Sequence, residues 1–317
     1  MVGVTLDLQQ GAGSAWWPAG ASFGADFAGG RFMRLGLHTA QSETIGFART
    51  GSKFAADTDG RLQTFGTDAL AVTNRGALIE AVATNQLLHS QGYDQATWQK
   101  YAVSVTAGAG AAPDGTNTAC RIVPSSASAL HRTLNTSASL TGGTAYCLLV
   151  YLKADGIRYV YVNADAALGA RIGVDLQTGG FVTGGATPSD ALVTHLADGW
   201  REVRLRGVAT GSATNLWLQA NSSLSSSDQT WAADGTSGFL AWGAMVSAVK
   251  GSYVPTTTTA STRAADGLTL NLPAGTHTLT YTFDDGSTQV VVGASGSYPV
   301  PTDLSRPVIR RITATAA

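Results

Sequence analysis

The chain has 317 residues, with 20 Lys+Arg against 21 Asp+Glu and a formal net charge of −1, which gives no electrostatic case for nucleic acid or an anionic membrane. Charged residues make up 13%, about half of the roughly 25% usual in soluble domains. Glu occurs only at Glu43, Glu80 and Glu202 and Lys only at Lys53, Lys100, Lys153 and Lys250, so little material exists for solvated helix faces, and the abundance of Gly, Ser, Thr and Asp reads as all-β.

The opening MVGVTLDLQQ lacks a basic segment followed by an apolar run, so no Sec signal is expected. No apolar stretch reaches bilayer length. The expectation is a chain held in the cytosol until something else releases it. Residues up to about 50 are rich in Gly, Ala and aromatics, with Trp16-Trp17 beside Pro18, and Phe23 and Phe27 close behind. That composition suits an extended arm whose Trp16, Trp17, Phe23 and Phe27 dock on a partner. The alternative is that these rings fold back onto the chain's own sheet. In GFARTGSKFAADTDGRLQTFG, short strand-like pieces flank the turn DTDGR.

The stretch RGALIEAVATNQLLHSQGYDQATWQK begins like an amphipathic helix carrying a buried glutamate and ends like a loop leading to Trp98. It opens a steady run of strand-length segments: YAVSVTAG, TACRIVP, TAYCLLVYLKA, IRYVYVNAD, ARIGVDL, GWREVRLRGVA, TNLWLQAN and GFLAWGAMV. Turn clusters such as APDGTN, DLQTGG and AADGTSG separate them. Many short strands at regular spacing predict a sandwich or jelly roll and argue against a catalytic helical domain. Cys120 and Cys147 are the only cysteines. Cys147, apolar on both sides in AYCLLVYL, belongs to a central strand; the pair reads as two buried thiols, with a disulfide left open.

The threonine run SYVPTTTTASTRAAD has neither hydrophobic period nor charge, and a boundary is placed near Ser261. The remainder begins with alternating strands. Asp285-Gly286 in TFDDGSTQV signals a hairpin of type I′. Alone, a module of about 50 residues is marginal and needs the sandwich or a neighbouring chain.

The order of these segments, from GFARTGSKFAADTDGRLQT through RGALIEAVATNQLLHSQGYDQATWQK, VTAGAGAAPDGTNTACRIV, LADGWREVRL and GFLAWGAMV to GSYVPTTTTASTRAAD, resembles a group of bacteriophage and prophage minor virion proteins. These are tail-fibre or head-spike components, including those of gene transfer agents, and carry a jelly roll like that of carbohydrate-binding modules. The resemblance covers roughly residues 45–265, about two thirds of the chain on a domain-scale reading. It implies a virion surface role, glycan adhesion and location in the particle; it supplies no ligand set. The expected fold is all-β: an N-terminal arm and attachment region at 1–83, a jelly-roll β-sandwich resembling carbohydrate-binding modules at 84–262, and a small C-terminal β module at 263–317.

Sugar binding needs rings that stack on a pyranose and planar polar groups that hold hydroxyls. Alternation places Asn215, Trp217, Gln219 and Asn221 on one face of TNLWLQAN, with Leu216 and Leu218 on the other. Likewise Tyr159, Tyr161 and Asn163 share a face of IRYVYVNAD, and Glu202, Arg204 and Arg206 lie opposite Val203 and Leu205. If these strands share a sheet, Asn215, Trp217, Gln219, Tyr159, Tyr161, Arg204 and Arg206 form a surface for an acidic or neutral glycan. The competing account is ordinary cross-strand pairing on a solvated sheet. Trp98, Trp200 and Trp242 are read as packing.

No catalytic residue is expected. A glycoside hydrolase needs two carboxylates flanking the scissile bond, but most aspartates here sit in turns, and no spacing links Glu80 with Glu202. GASGSY approaches a nucleophile elbow without its strand-to-helix setting. The five histidines are scattered, so no zinc site is expected. Asp57 and Asp59 in DTDG match the opening of a calcium loop without its distal acid; the turn is read as an Asp turn, a structural calcium is left open, and no cofactor is expected.

The functional expectation is a non-enzymatic head-spike or tail-fibre protein that binds host surface polysaccharide and contacts other virion proteins of the capsid or tail. The alternatives are a purely structural connector and, third, a capsule depolymerase. Repeated copies in a virion imply a homo-oligomer. Without heptads it must assemble through β or loop contacts. Neither nucleic acid nor membrane insertion is expected.

Overall fold

The computed structural model describes residues 15–184, 187–212 and 215–317, and it is all-β. The chain enters through β1 (Ala21–Asp26), β2 (Arg31–Arg34), β3 (Leu37–Thr39), one helical turn α1 (Gln41–Thr44), and β4 (Ile45–Ala48). Next come a hairpin of β5 (Lys53–Ala56) and β6 (Leu62–Phe65) around DTDGR, and three short strands: β7 (Val72–Thr73), β8 (Gly76–Leu78) and β9 (Ala83–Asn85). The segment around Glu80 is therefore extended and not the helix its apolar spacing would allow; Glu80 itself is buried.

The middle of the chain supplies β10 (Trp98–Tyr101), β11 (Val103–Gly110), β12 (Ala119–Pro124), β13 (His131–Asn135), β14 (Ala145–Asp155), β15 (Tyr159–Asn163) and the helical turn α2 (Asp165–Leu168). It continues through β16 (Arg171–Asp175), β17 (Phe181–Thr183), β18 (Asp190–His195), β19 (Arg201–Val208), β20 (Leu216–Asn221) and β21 (Gly238–Ser247). These form two six-stranded antiparallel sheets, in the orders β10-β13-β20-β15-β16-β17 and β11-β12-β21-β14-β19-β18. Period-2 alternation decides what lies between them. Val160, Val162, Ile172, Val174, Leu216 and Leu218 from the first sheet meet Leu148, Val150, Leu152, Val203, Leu205 and Phe239 from the second in one buried cluster.

The second sheet is covered on its other face as well. Leu149, Tyr151, Trp200, Trp242 and Met245 pack there against Phe54 and Leu62 of the β5–β6 hairpin and against Tyr253 and Val254. Phe54 meets Trp242 edge-on at 5.7 Å between ring centroids. Burial on both faces explains why β14 and β21 read as nearly continuous apolar runs. Cys120 and Cys147 are free and buried. The start of the expected linker is part of this packing: Tyr253 and Val254 are core, and the Thr256 hydroxyl donates to the Leu87 carbonyl at 2.5 Å.

The return path is β22 (Ser261–Arg263), the long bent β23 (Gly267–Phe283), β24 (Thr288–Pro299) and β25 (Val308–Ala316). Its pairing corrects the expected arm and separate module. From Ala21 onward the N-terminal segment is built into the same sheet as the C-terminal strands, in the order β24-β23-β25-β1-β2-β3, with β4 on β23 and β8 on β25. Phe23 and Phe27 therefore lie in a core with Leu279, Tyr281, Phe283 and Ile312, and do not form a docking surface. The module that is marginal by size gains its partners from β1 and β4 of its own chain.

Trp16 and Trp17 fold back on this sheet. The Trp16 indole lies against Gly24, where an added Cβ would come within 2.7 Å, and the guanidinium carbons of Arg31 and Arg311 each lie 5.4 Å from its ring centroid. Trp17 meets His38 edge-on at 4.9 Å. The Asp285 hairpin forms, but its turn differs from expectation. Gly286 has φ 84 while Asp285 is absent from the positive-φ residues, and Gly286 N–H donates to the Phe283 carbonyl at 3.1 Å. That geometry matches a type I turn closed by a left-handed glycine, not type I′.

The sandwich is thus an insertion in a terminal β unit, and its entry and exit strands, β9 and β22, pair with each other. Beside them lies a cluster of buried charges. Lys53 bridges Glu80 at 3.0 Å and also pairs with Asp266; Arg49 reaches Asp266 at 3.2 Å, and Arg263 reaches Glu80 at 3.4 Å. Glu80 accepts from the Ser252 N–H at 2.8 Å and its hydroxyl at 2.7 Å. Each charge has a partner, as burial demands.

Candidate functional site

The exposed side of the first sheet carries the candidate site. Across it, Leu134, Trp217, Asn163 and Arg171 stand side by side on β13, β20, β15 and β16. The next row reads Tyr101, Arg132, Gln219, Tyr161 and Gly173. Leu216 and Leu218 are fully buried on the opposite side, so alternation places Asn215, Trp217, Gln219 and Asn221 together as expected.

The Arg132 guanidinium carbon sits 3.4 Å from the Trp217 ring centroid, with the Tyr101 ring 5.2 Å from the same guanidinium. A planar cation on an indole face is favourable, and it holds the indole in place. The Trp217 Nε1–H is buried and has no hydrogen-bond partner among the described residues. Beside the ring lies a shallow depression of about 430 Å³ lined by Asn163, Ala166, Arg171, Asn215, Trp217 and Asp228. Arg171 Nη1 donates to Ser227 Oγ at 2.8 Å and to Asp228 Oδ2 at 3.2 Å.

The serine-rich loop after β20 closes over the rest of this face. Gln219 Nε2 donates to the Ser227 carbonyl at 2.5 Å and to Asn221 Oδ1 at 2.9 Å, and Asn221 Nδ2 donates to the Ser226 carbonyl at 2.6 Å. Tyr161 donates its hydroxyl to the Leu224 carbonyl at 3.0 Å. Burial lifts that hydroxyl above its ordinary value against the pull of Arg171, so it remains a donor. Gln219 and Tyr161, both expected to meet ligand, are buried and hold the loop.

Tyr159 is half-buried at the far end of the sheet, with the Arg158 guanidinium 5.1 Å from its ring centroid. Arg158 pairs with Asp175 at 2.6 Å and, by that hydrogen bond above all, holds its carboxyl far below the usual range. Arg204 and Arg206 do not join the site. They lie on β19 in the second sheet, where Arg204 pairs with Glu202 at 2.5 Å and donates to the Gly251 carbonyl at 2.8 Å. Their alternation is as expected, but the strands do not share a sheet.

Of the residues expected to bind glycan, the depression brings together Trp217 and Asn215. It adds Asn163, Ala166, Arg171 and Asp228. The alternation of ARIGVD could have placed Arg171 on this face; nothing local marks Asp228, which arrives on a loop. Trp98, Trp200 and Trp242 are buried and donate their indole N–H to His89 O, Ala111 O and Thr118 Oγ1, as packing residues should. In the DTDG turn, Asp57 accepts from the Asp59 and Arg61 N–H groups and from Gln63. No group of three or more His, Cys, Asp or Glu able to hold a metal occurs among the described residues.

Chemically, the depression offers one aromatic wall, two amides and a carboxylate–guanidinium pair, a set that can stack on an apolar ring face and exchange hydrogen bonds with hydroxyls. No protein-family model matches the chain, and no curated protein matches it.

Proposed function

We propose that the chain is a virion surface protein of the phage type, a head-spike or tail-fibre component, whose inserted sandwich binds host surface polysaccharide without cleaving it. The observation that supports adhesion is the depression beside Trp217, where a ring held by Arg132 stands next to the Asn163 and Asn215 side chains and the Arg171–Asp228 pair. The particle role rests on the order of sequence segments set out above. Trp217→Ala removes the stacking wall from the outer face and leaves the inter-sheet core intact. It is expected to weaken polysaccharide binding by the full-length protein at least about tenfold, roughly 1.4 kcal/mol. Equal binding by wild type and Trp217→Ala in a capsule pull-down would remove the site from this role.

A second reading, a connector that serves assembly only, draws on β24. This strand lies at the open end of its sheet, carries no charge, and exposes Val290 and Val292 at 58% and 76%. Natural edge strands are usually blunted by charge or proline; the proline of β24, Pro299, is its last residue, and an edge otherwise left this way suits pairing with a second copy in a homo-oligomer. Incorporation into particles by a Trp217→Ala protein that no longer adsorbs to cells would give each surface its own task.

A further inference from the structure

The two partners in the Arg171–Asp228 pair are not equally accessible. The Arg171 side chain is 13% exposed, whereas Asp228 is 59% exposed, at 3.2 Å. The guanidinium is further engaged by Ser227 at 2.8 Å. The other cation at this site, Arg132, is held between rings, its guanidinium carbon 3.4 Å from the Trp217 centroid and 5.2 Å from that of Tyr101. What an incoming ligand meets is therefore the carboxylate end of the pair, the half-buried Asn215, whose amide has no hydrogen-bond partner among the described residues, and the Trp217 ring.

We infer that the depression selects uncharged polysaccharide, presenting neutral pyranose rings with adjacent hydroxyls, over uronic-acid or other acidic chains. This rests on the glycan reading above. An ionised carboxylate accepts hydrogen bonds only, and two neighbouring sugar hydroxyls are donors that match its two oxygens. A sugar carboxylate brought to the same place meets like charge and finds the nearby guanidinium already matched. Like-charge juxtaposition is how binding surfaces reject wrong partners.

The test uses the full-length protein against an immobilised panel of neutral and uronic-acid-bearing polysaccharides, at about 0.05 M and about 0.5 M salt, a range over which exposed charge interactions become screened. The expected result is binding to neutral members that changes less than about twofold with salt, is lost in Trp217→Ala, and is weakened in Asn215→Ala. Asp228→Asn removes the exposed charge and should shift the ratio of acidic to neutral binding upward by about tenfold, the scale of a single contact. Preference for acidic members with steep salt dependence, lost in Trp217→Ala, would overturn the selectivity and leave the adhesion reading standing. Silence across the whole panel would overturn the adhesion reading and the selectivity with it. Neutral binding that survives Trp217→Ala would place the ligand elsewhere and overturn both the selectivity and its site.

Discussion

At the scale of single residues, the buried charges beside Glu80 carry the sharpest stability consequence. Burial pulls the Lys53 ammonium below its ordinary value against the opposing pull of Glu80 and Asp266. Burial pushes the Glu80 carboxyl up, but Lys53, Arg263 and Ser252 outweigh it and hold it below the usual carboxylate value. Asp266 faces both Arg49 and Lys53, all three with no side-chain exposure. Asp266→Ala leaves two buried cations short of a partner and should cost about 3–5 kcal/mol, read as a lower denaturant midpoint. A loss under about 1 kcal/mol, the size of an exposed pair, would mean that water reaches the cluster. Acid sensitivity follows from the same kind of group. Glu80 and Asp175 are both held below their unfolded values. Their stabilising contribution is complete above an unfolded value of about 4 and is lost as pH falls through the lower folded values. Wild-type stability should therefore decline below about pH 4, and Asp175→Asn should flatten that decline while its Oδ1 still caps the Gln177 and Thr178 N–H groups. An unchanged acid limb in Asp175→Asn would deny the Arg158–Asp175 pair that role.

At the scale of elements, the candidate face depends on how a ring on one strand uses space left by its neighbour. Tyr161 lies over Gly173, where an added Cβ would stand 2.5 Å from the ring. The same ring's hydroxyl anchors Leu224 in the serine-rich loop, and that loop delivers Asp228 to the depression. Gly173→Val should lift the ring and cost about 1–3 kcal/mol, the range for overpacking. The telling readout is local: faster proteolysis within the 222–229 loop together with weakened polysaccharide binding. Unchanged loop protection would show that the Gln219 and Asn221 bonds suffice to hold it.

At the scale of the whole molecule, an inserted sandwich and a terminal unit built from both ends of the chain share buried surface. The β5–β6 hairpin, which precedes the sandwich in sequence, covers the second sheet through Phe54 and Leu62. A fragment limited to residues 84–262 would keep Tyr253 over Tyr151 and Trp242 but strip Phe54 from Trp242. The N-terminal strands have the converse role. Deleting residues 1–40 removes β1, β2 and β3 with Phe23, Phe27 and Phe32, and leaves residues 311–315 of β25 unpaired on that side, while β8 still pairs with Val308 and Ile309. Amide exchange should then rise throughout β23–β25 and change little in the sandwich. Native protection in β25 after that deletion would return the segment to the status of an accessory arm.

The sequence by itself determined the all-β class, the outward and inward sides of β15, β19 and β20, and the packing role of Trp98, Trp200 and Trp242. It also gave two residues of the depression, Trp217 and Asn215. These follow from composition and from an alternation of period two, both properties of a few neighbouring residues. Only the tertiary structure decided that β15 and β20 are neighbours while β19 belongs to the opposite sheet, and so that Arg204 and Arg206 lie away from Trp217. It alone turned Phe23 and Phe27 from a docking surface into core and placed Asp228 beside Arg171. Strand order and loop closure join residues far apart in the chain, Phe23 with Ala314 for instance, and no local pattern encodes which distant strand will supply the missing edge.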